Sequence, residues 1–111
     1  MGIVVKNIIP RKFAENAQTS QYTALNCKII IDKFTVTNTS GSNVTFSVNL
    51  VATGDAAAAS NLILASKSIA PNQTYTCPEI VGQTLEPNGY ISTLASVASA
   101  LTISSSGREI T

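Results

Sequence analysis

In residues 43–50 every second side chain is apolar: Val44, Phe46, Val48 and Leu50 alternate with Thr45, Ser47 and Asn49. A period of two puts alternate side chains on opposite faces of an extended chain, so this run predicts a strand with one buried and one solvated face. Residues 28–37, KIIIDKFTVT, are rich in β-branched side chains and predict a second strand, with Ile30, Phe34 and Val36 on one face and Asp32 interrupting it. Between the two runs lies NTSGS, residues 38–42. Its turn-forming residues, with Gly41 free to take positive φ, predict a hairpin with a longer loop.

The same signals recur along the chain. Residues 62–69 predict a strand, Pro71-Asn72 a turn, and residues 73–81 a strand with Tyr75 and Cys77 in phase. Pro78, which has no N–H to give to a ladder, is expected at a strand end, a bulge or a sheet edge. Glu86-Pro87-Asn88-Gly89 is a strong turn signal, followed by strands over 90–94 and 101–105 joined by the short connection 95–100. In residues 53–61 a Gly-Asp turn precedes an alanine run, and a single helical turn capped by Asp55 is expected there.

Gly2 to Ile9 is apolar with high β propensity and stops at Pro10, leading into a polar stretch without period. This predicts a first strand, or arm, set apart by a long connection: residues 1–20 as arm and connection, residues 21–111 as one domain. Ile3, Val4, Val5, Ile8 and Ile9, with Arg11 and Lys12 beyond the proline, are the candidate partner-binding residues. The arm adds to a partner's sheet edge through backbone hydrogen bonds, or it forms an edge strand of this domain's own sheet. Seven or eight short strands at intervals of roughly ten residues predict an all-β fold, a small β-sandwich or jelly roll.

Composition narrows the chemistry. Charged residues make up only 12% of the 111 positions and the net charge is +1, so no strong field gathers nucleic acid or an anionic membrane. With no histidine, the commonest general base and every Ser-His or Cys-His nucleophile are missing. The six carboxylates form no paired-acid or DxDxDG motif, and no phosphate-binding glycine loop is present. Cys27 and Cys77 lack metal-ligand spacing and are expected as buried free thiols. The expectation is a protein without enzyme activity, cofactor or metal.

No apolar run reaches the roughly 18–20 residues that span a bilayer, and the first residues lack a secretory pattern. A soluble protein made in the cytoplasm is expected. Asn38, Asn43 and Asn72 begin N-x-Ser/Thr triplets, which a chain so rich in these residues produces by chance. Asp32 is expected as a strand-surface acid, paired with a lysine such as Lys28 or Lys33, or simply exposed. Sugar binding is the alternative activity for a sandwich of this kind, and it would draw on Tyr22, Tyr75 and Tyr90, the polar-tipped aromatics.

The layout FTVTNTSGSNVTFSVNLV, then SIAPNQTYTCPEIVGQTLEPNGYISTLAS, then ALTISSSGREI resembles small β-sandwich proteins of tailed-phage virions. Over most of its length the chain is similar to the capsid staple, or decoration, proteins of podoviruses of the epsilon-fifteen type. The resemblance implies a virion protein on the outer surface of the capsid that binds the major capsid protein, bridges neighbouring subunits and works as a homo-oligomer, with a dimer favoured. Similar patterns occur in neck, collar and fibre proteins of phages, which stand as the alternative location. The resemblance supplies no catalytic or ligand motif to carry over.

Overall fold

The structure is a computed structural model and describes residues 2–111. It contains nine strands: β1 (Ile3–Phe13), β2 (Thr19–Thr23), β3 (Lys28–Asn38), β4 (Val44–Val51), β5 (Leu62–Ile69), β6 (Thr74–Tyr75), β7 (Thr84–Leu85), β8 (Tyr90–Ala95) and β9 (Leu101–Ile110). Sheet A has the order β1-β9-β3-β6, with β7 also pairing β3, and sheet B the order β2-β8-β4-β5. All pairings are antiparallel. The chain crosses between two facing sheets at every connection except β4–β5 and β6–β7, the winding of a jelly roll, as the sequence predicts.

The core lies between the sheets. Phe34 of β3 and Phe46 of β4 are fully buried and meet across it with ring centroids 6.1 Å apart, tilted 43°. Around them pack Ile29, Ile31, Val36, Ile69, Ile91, Leu101 and Ile103, all at 0% exposure. Burial on this scale, at roughly 25 cal/mol per Å² of apolar surface, is the main favourable term for a domain this small.

The predicted hairpin between the runs at 28–37 and 43–50 is corrected. β3 and β4 belong to different sheets, and the segment between them is an arch over the end of the sandwich. Both strands have an apolar face, and a single core satisfies both only when those faces oppose each other across it. Asn38 holds the arch. Its buried Nδ2 donates to the carbonyls of Ser42 and Ile69, both at 2.8 Å, while Oδ1 accepts from the Ser40 amide and hydroxyl.

The interruption at Asp32 has a backbone cause. The β3–β9 register shifts between Ile31 and Lys33, so the buried set changes phase from Ile29 and Ile31 to Phe34 and Val36. A bulge of this kind leaves one extra residue on a strand and moves every later side chain to the other face. Ile30, expected on the face of Phe34, lies on the outer face instead. Asp32 sits at the bulge on the surface and takes Arg108, not a lysine, through Nε at 3.0 Å and Nη2 at 2.9 Å.

Other local expectations divide according to turn chemistry. Ala70 to Gln73 and Glu86 to Gly89 both place proline second and asparagine third, and Asn72 and Asn88 have φ of 62° and 68°. The turns close through Gln73 N–H to Ala70 O at 3.0 Å and Gly89 N–H to Glu86 O at 2.9 Å, the geometry a type II turn requires. The strand expected over 73–81 shrinks to Thr74–Tyr75. Beyond it the chain leaves the sheet in a turn holding Cys77 at φ 48°, with the amides of Ile80 and Val81 donating to its carbonyl. The single helical turn is a 3-10 turn at Ala59–Asn61, preceded by Ala58 and not capped by Asp55. Asn61 Oδ1 accepts from the Ala58 amide at 3.0 Å.

The first strand is not set apart. β1 runs through Pro10 to Phe13 and pairs with β9 from Ile3↔Ile110 to Phe13↔Thr102. The "polar stretch without period" yields β2, whose alternation is masked because its one large apolar side chain is Tyr22.

Candidate interaction surface

Cross-strand neighbours in a sheet share a face, so the register of sheet A assigns each side chain of β1 to one side. Ile3, Ile110 and Lys28 form one row, and Val5, Arg108 and Ile30 another. Both rows point away from the core, because the row between them carries the fully buried Ile29. Ile3 and Val5 are 64% and 77% exposed. With Ile110 they make an apolar strip on the outer face of sheet A, and Ile30 extends it on the far side of Arg108, which pairs with Asp32; Lys28 and Glu86 lie beyond Ile110.

The candidate residues of β1 therefore separate. Ile3 and Val5 belong to the outer strip. Val4 points inward at the mouth of the sandwich and is still 53% exposed. Ile8 and Ile9 are core residues at 3% and 1% exposure, which removes them from any partner surface. Lys12 is paired with Glu15 at 2.8 Å. Arg11 is exposed and, among the described residues, makes no ion pair. Sequence reasoning missed Ile30, Ile110 and Arg108. Ile30 is out of phase with Phe34 only because of the bulge, and the run SSSGREI has too few apolar residues to show a period.

The mouth of the sandwich beside β1 is closed by a polar cluster. Tyr22 of β2 reaches across to sheet A and donates its hydroxyl to Glu109 Oε2 at 2.5 Å. Lys6 Nζ lies 3.2 Å from the same carboxylate and 5.9 Å from the Tyr22 ring centroid. The Tyr22 hydroxyl holds the Glu109 carboxyl below the usual carboxylate range, and Lys6 adds to the effect. Burial, then the Glu109 charge, pushes the Tyr22 phenol far up.

Glycine has a specific role under the strip. A Cβ on Gly107 would run into the Ile30 carbonyl oxygen well inside van der Waals contact. The central strand β9 therefore accepts the bulged β3 backbone only with glycine at this point.

The three tyrosines do not form one platform. Tyr22 lies at the β1/β2 edge with its hydroxyl on Glu109. Tyr75 lies at the opposite edge, its hydroxyl on Glu79 at 2.6 Å and Lys67 Nζ 4.9 Å from its ring centroid. Tyr90 reaches the Asp55 carbonyl at 3.5 Å. A hollow of about 280 Å³ on sheet B is lined by Gln18, Ser47, Asn49 and the alanine loop. Its amides bond one another: Asn49 accepts from Gln18 and donates to Ala58 O and Asn61 Oδ1. Cys27 and Cys77 are buried free thiols, as expected, and burial pushes the Cys77 thiol up to about 12.

No family model matches the chain, and no curated protein does. Among solved structures, it is similar to a chain in a structure described as that of infectious bursal disease virus, Gx strain. That likeness covers 98% of this chain at 12% identity with a TM-score of 0.48. This chain spans about one third of the length of that one, 32%.

Proposed function

We propose that this domain is a structural protein of a virus particle, seated on the outside of the capsid shell and bridging neighbouring capsid subunits. The observation that carries the reading is the jelly-roll order of the two sheets around a filled core, joined to an exposed apolar strip on sheet A. Jelly rolls serve capsids, lectins and cupins. The resemblance of the sequence to phage staple and decoration proteins selects the first of these. The separated tyrosines, each with its hydroxyl bonded to another group of this chain, argue against an aromatic sugar platform. A bridge across two subunits adds contacts that only the assembled shell offers, and so stabilises the shell by linkage. The partners are the major capsid protein and a second copy of this chain.

A protein count on purified particles tests the reading. A ratio to the major capsid protein near one, or a simple fraction of it, is expected for a shell bridge. About a dozen copies would instead indicate a neck, collar or fibre part, where symmetry is lower. Absence from the particle would overturn the proposal.

A further inference from the structure

The charges of this chain are sorted between the two sheets. Six of its seven cations, Lys6, Arg11, Lys12, Lys28, Lys33 and Arg108, lie on strands of sheet A, together with two carboxylates, Asp32 and Glu109. The strands of sheet B carry one charge, Lys67, and the other four carboxylates lie in connections. Four of the six cations are taken up in ion pairs with Glu109, Glu15, Glu86 and Asp32, which leaves Arg11 and Lys33 as the unpaired positive charges of sheet A among the described residues. Its edge strand β1 bears three cations and no acid.

β1 is also an open edge, pairing β9 on one side and no strand on the other among the described residues. Natural edges are guarded by proline, bulges and inward charges. Here Pro10 and both register shifts fall after Lys6, whereas Ile3 to Lys6 pair with Ile110 to Gly107 without a break. That unbroken stretch, whose one guard is the inward Lys6, is held in place at its end, because Gly2 and Thr111 exchange backbone hydrogen bonds at 3.3 and 3.0 Å. The edge is therefore preformed and flanked by apolar side chains, with a free guanidinium at Arg11 further along it.

We infer that the β1 edge accepts an extended, acidic segment of another protein as an added strand of sheet A. The partner's backbone pairs with β1, its apolar side chains cover Ile3 and Val5, and its carboxylates meet Arg11. A second copy of β1 is the less suitable occupant, since it would bring another uncompensated Arg11 to the same edge. The inference deepens the shell-binding reading by naming the docking edge and the chemistry of its partner. It is tested separately from that reading, because it needs no particle.

Two blocked ten-residue peptides serve as probes, one alternating valine with glutamate and one alternating valine with lysine. They are titrated into the isotope-labelled full chain while backbone amide shifts and hydrogen exchange are followed. The glutamate peptide is expected to shift and protect amides of β1, to bind more weakly as salt is raised, and to lose roughly two- to fivefold in affinity to R11E, the range of an exposed ion pair. Arg11 is exposed, so R11E keeps the fold. Equal binding of the two peptides, shifts mapping away from β1, or no binding would overturn the inference. Protection of β1 that grows with protein concentration in the absence of peptide would also overturn it, in favour of a second copy. Binding of the acidic peptide by a chain absent from particles would leave the edge standing and sink the virion reading.

Discussion

Asn38 donates from its side-chain nitrogen to the Ile69 carbonyl at 2.8 Å, inside the arch where the chain passes from sheet A to sheet B. The same amide ties Ser42 and Ser40, so one buried side chain fixes both the corner and its attachment to β5. Asn38→Ala is expected to leave the buried Ile69 carbonyl and the part-buried Ser40 and Ser42 groups without this partner and to cost about 1–3 kcal/mol, the scale of one buried unsatisfied group. Asn38→Asp is expected to cost at least as much, since it removes both N–H donors and sets a carboxylate beside two carbonyls. Urea unfolding of the two variants checks this, and a loss under about 0.5 kcal/mol would show that the arch stands without the asparagine.

The two halves of β1 predict opposite mutational behaviour. Ile9→Ala deletes a core side chain and is expected to destabilise by about 2–5 kcal/mol. Ile3→Thr with Val5→Thr alters only exposed positions and is expected to stay within about 0.5 kcal/mol of the parent while weakening attachment to particles. Thermal unfolding beside a particle-binding assay separates them. Unchanged attachment of the double variant would remove the strip from the binding surface.

Gly107 is expected to resist even the smallest enlargement. Gly107→Ala forces β9 and β3 apart at the bulge and is expected to cost about 1–3 kcal/mol, the range of an overpacked site. Amide shifts confined to residues around Ile30 and Gly107 are the expected signature. A variant as stable as the parent would mean that the bulge relaxes freely.

Glu109 gives the mouth of the sandwich an acid sensitivity of definite sign. Its carboxyl is held below the ordinary value, by the Tyr22 hydroxyl first and Lys6 next, so it stabilises the fold above the unfolded value near ~4.3. That contribution is lost as pH falls through the lowered folded value. In Glu109→Gln the decline of melting temperature below about pH 4.3 is expected to be shallower than in the parent. Parallel curves would show that the cluster is electrostatically idle.

Both thiols are expected to be silent toward a disulfide reagent at pH 8 while the chain is folded. The thiolate is the reacting form, and burial holds Cys77 near 12. Two equivalents should react on unfolding in urea. Fast labelling of the native protein would reveal an opening of the 76–83 turn.

The alternation of β4 and the two Pro-Asn turns was legible because each depends on neighbours a few residues apart. The arch was not. Alternation says that Val44, Phe46 and Val48 share a face, but a hairpin and an arch both satisfy that pattern, and only the need for one shared core decides between them. The phase change at Asp32 was illegible for a related reason: a bulge in β3 is permitted by Gly107, which lies 75 positions away in the sequence. The interaction strip combines Ile3, Val5, Ile30 and Ile110 from three strands. Sequence pointed to the first two, and the register of β9 brought in the others.

The position of β9 sets a schedule for synthesis. It lies between β1 and β3, yet it is the last of the nine strands to leave the ribosome. Until it arrives, its two neighbours in sheet A have nothing to pair with across the gap, and β8, which joins β2 to β4 in sheet B, ends only five residues ahead of it, so both sheets close when the chain is nearly complete. A chain ended before Leu101 would therefore expose the unpaired edges of β1 and β3 and form an aggregation-prone fragment, not a smaller stable domain.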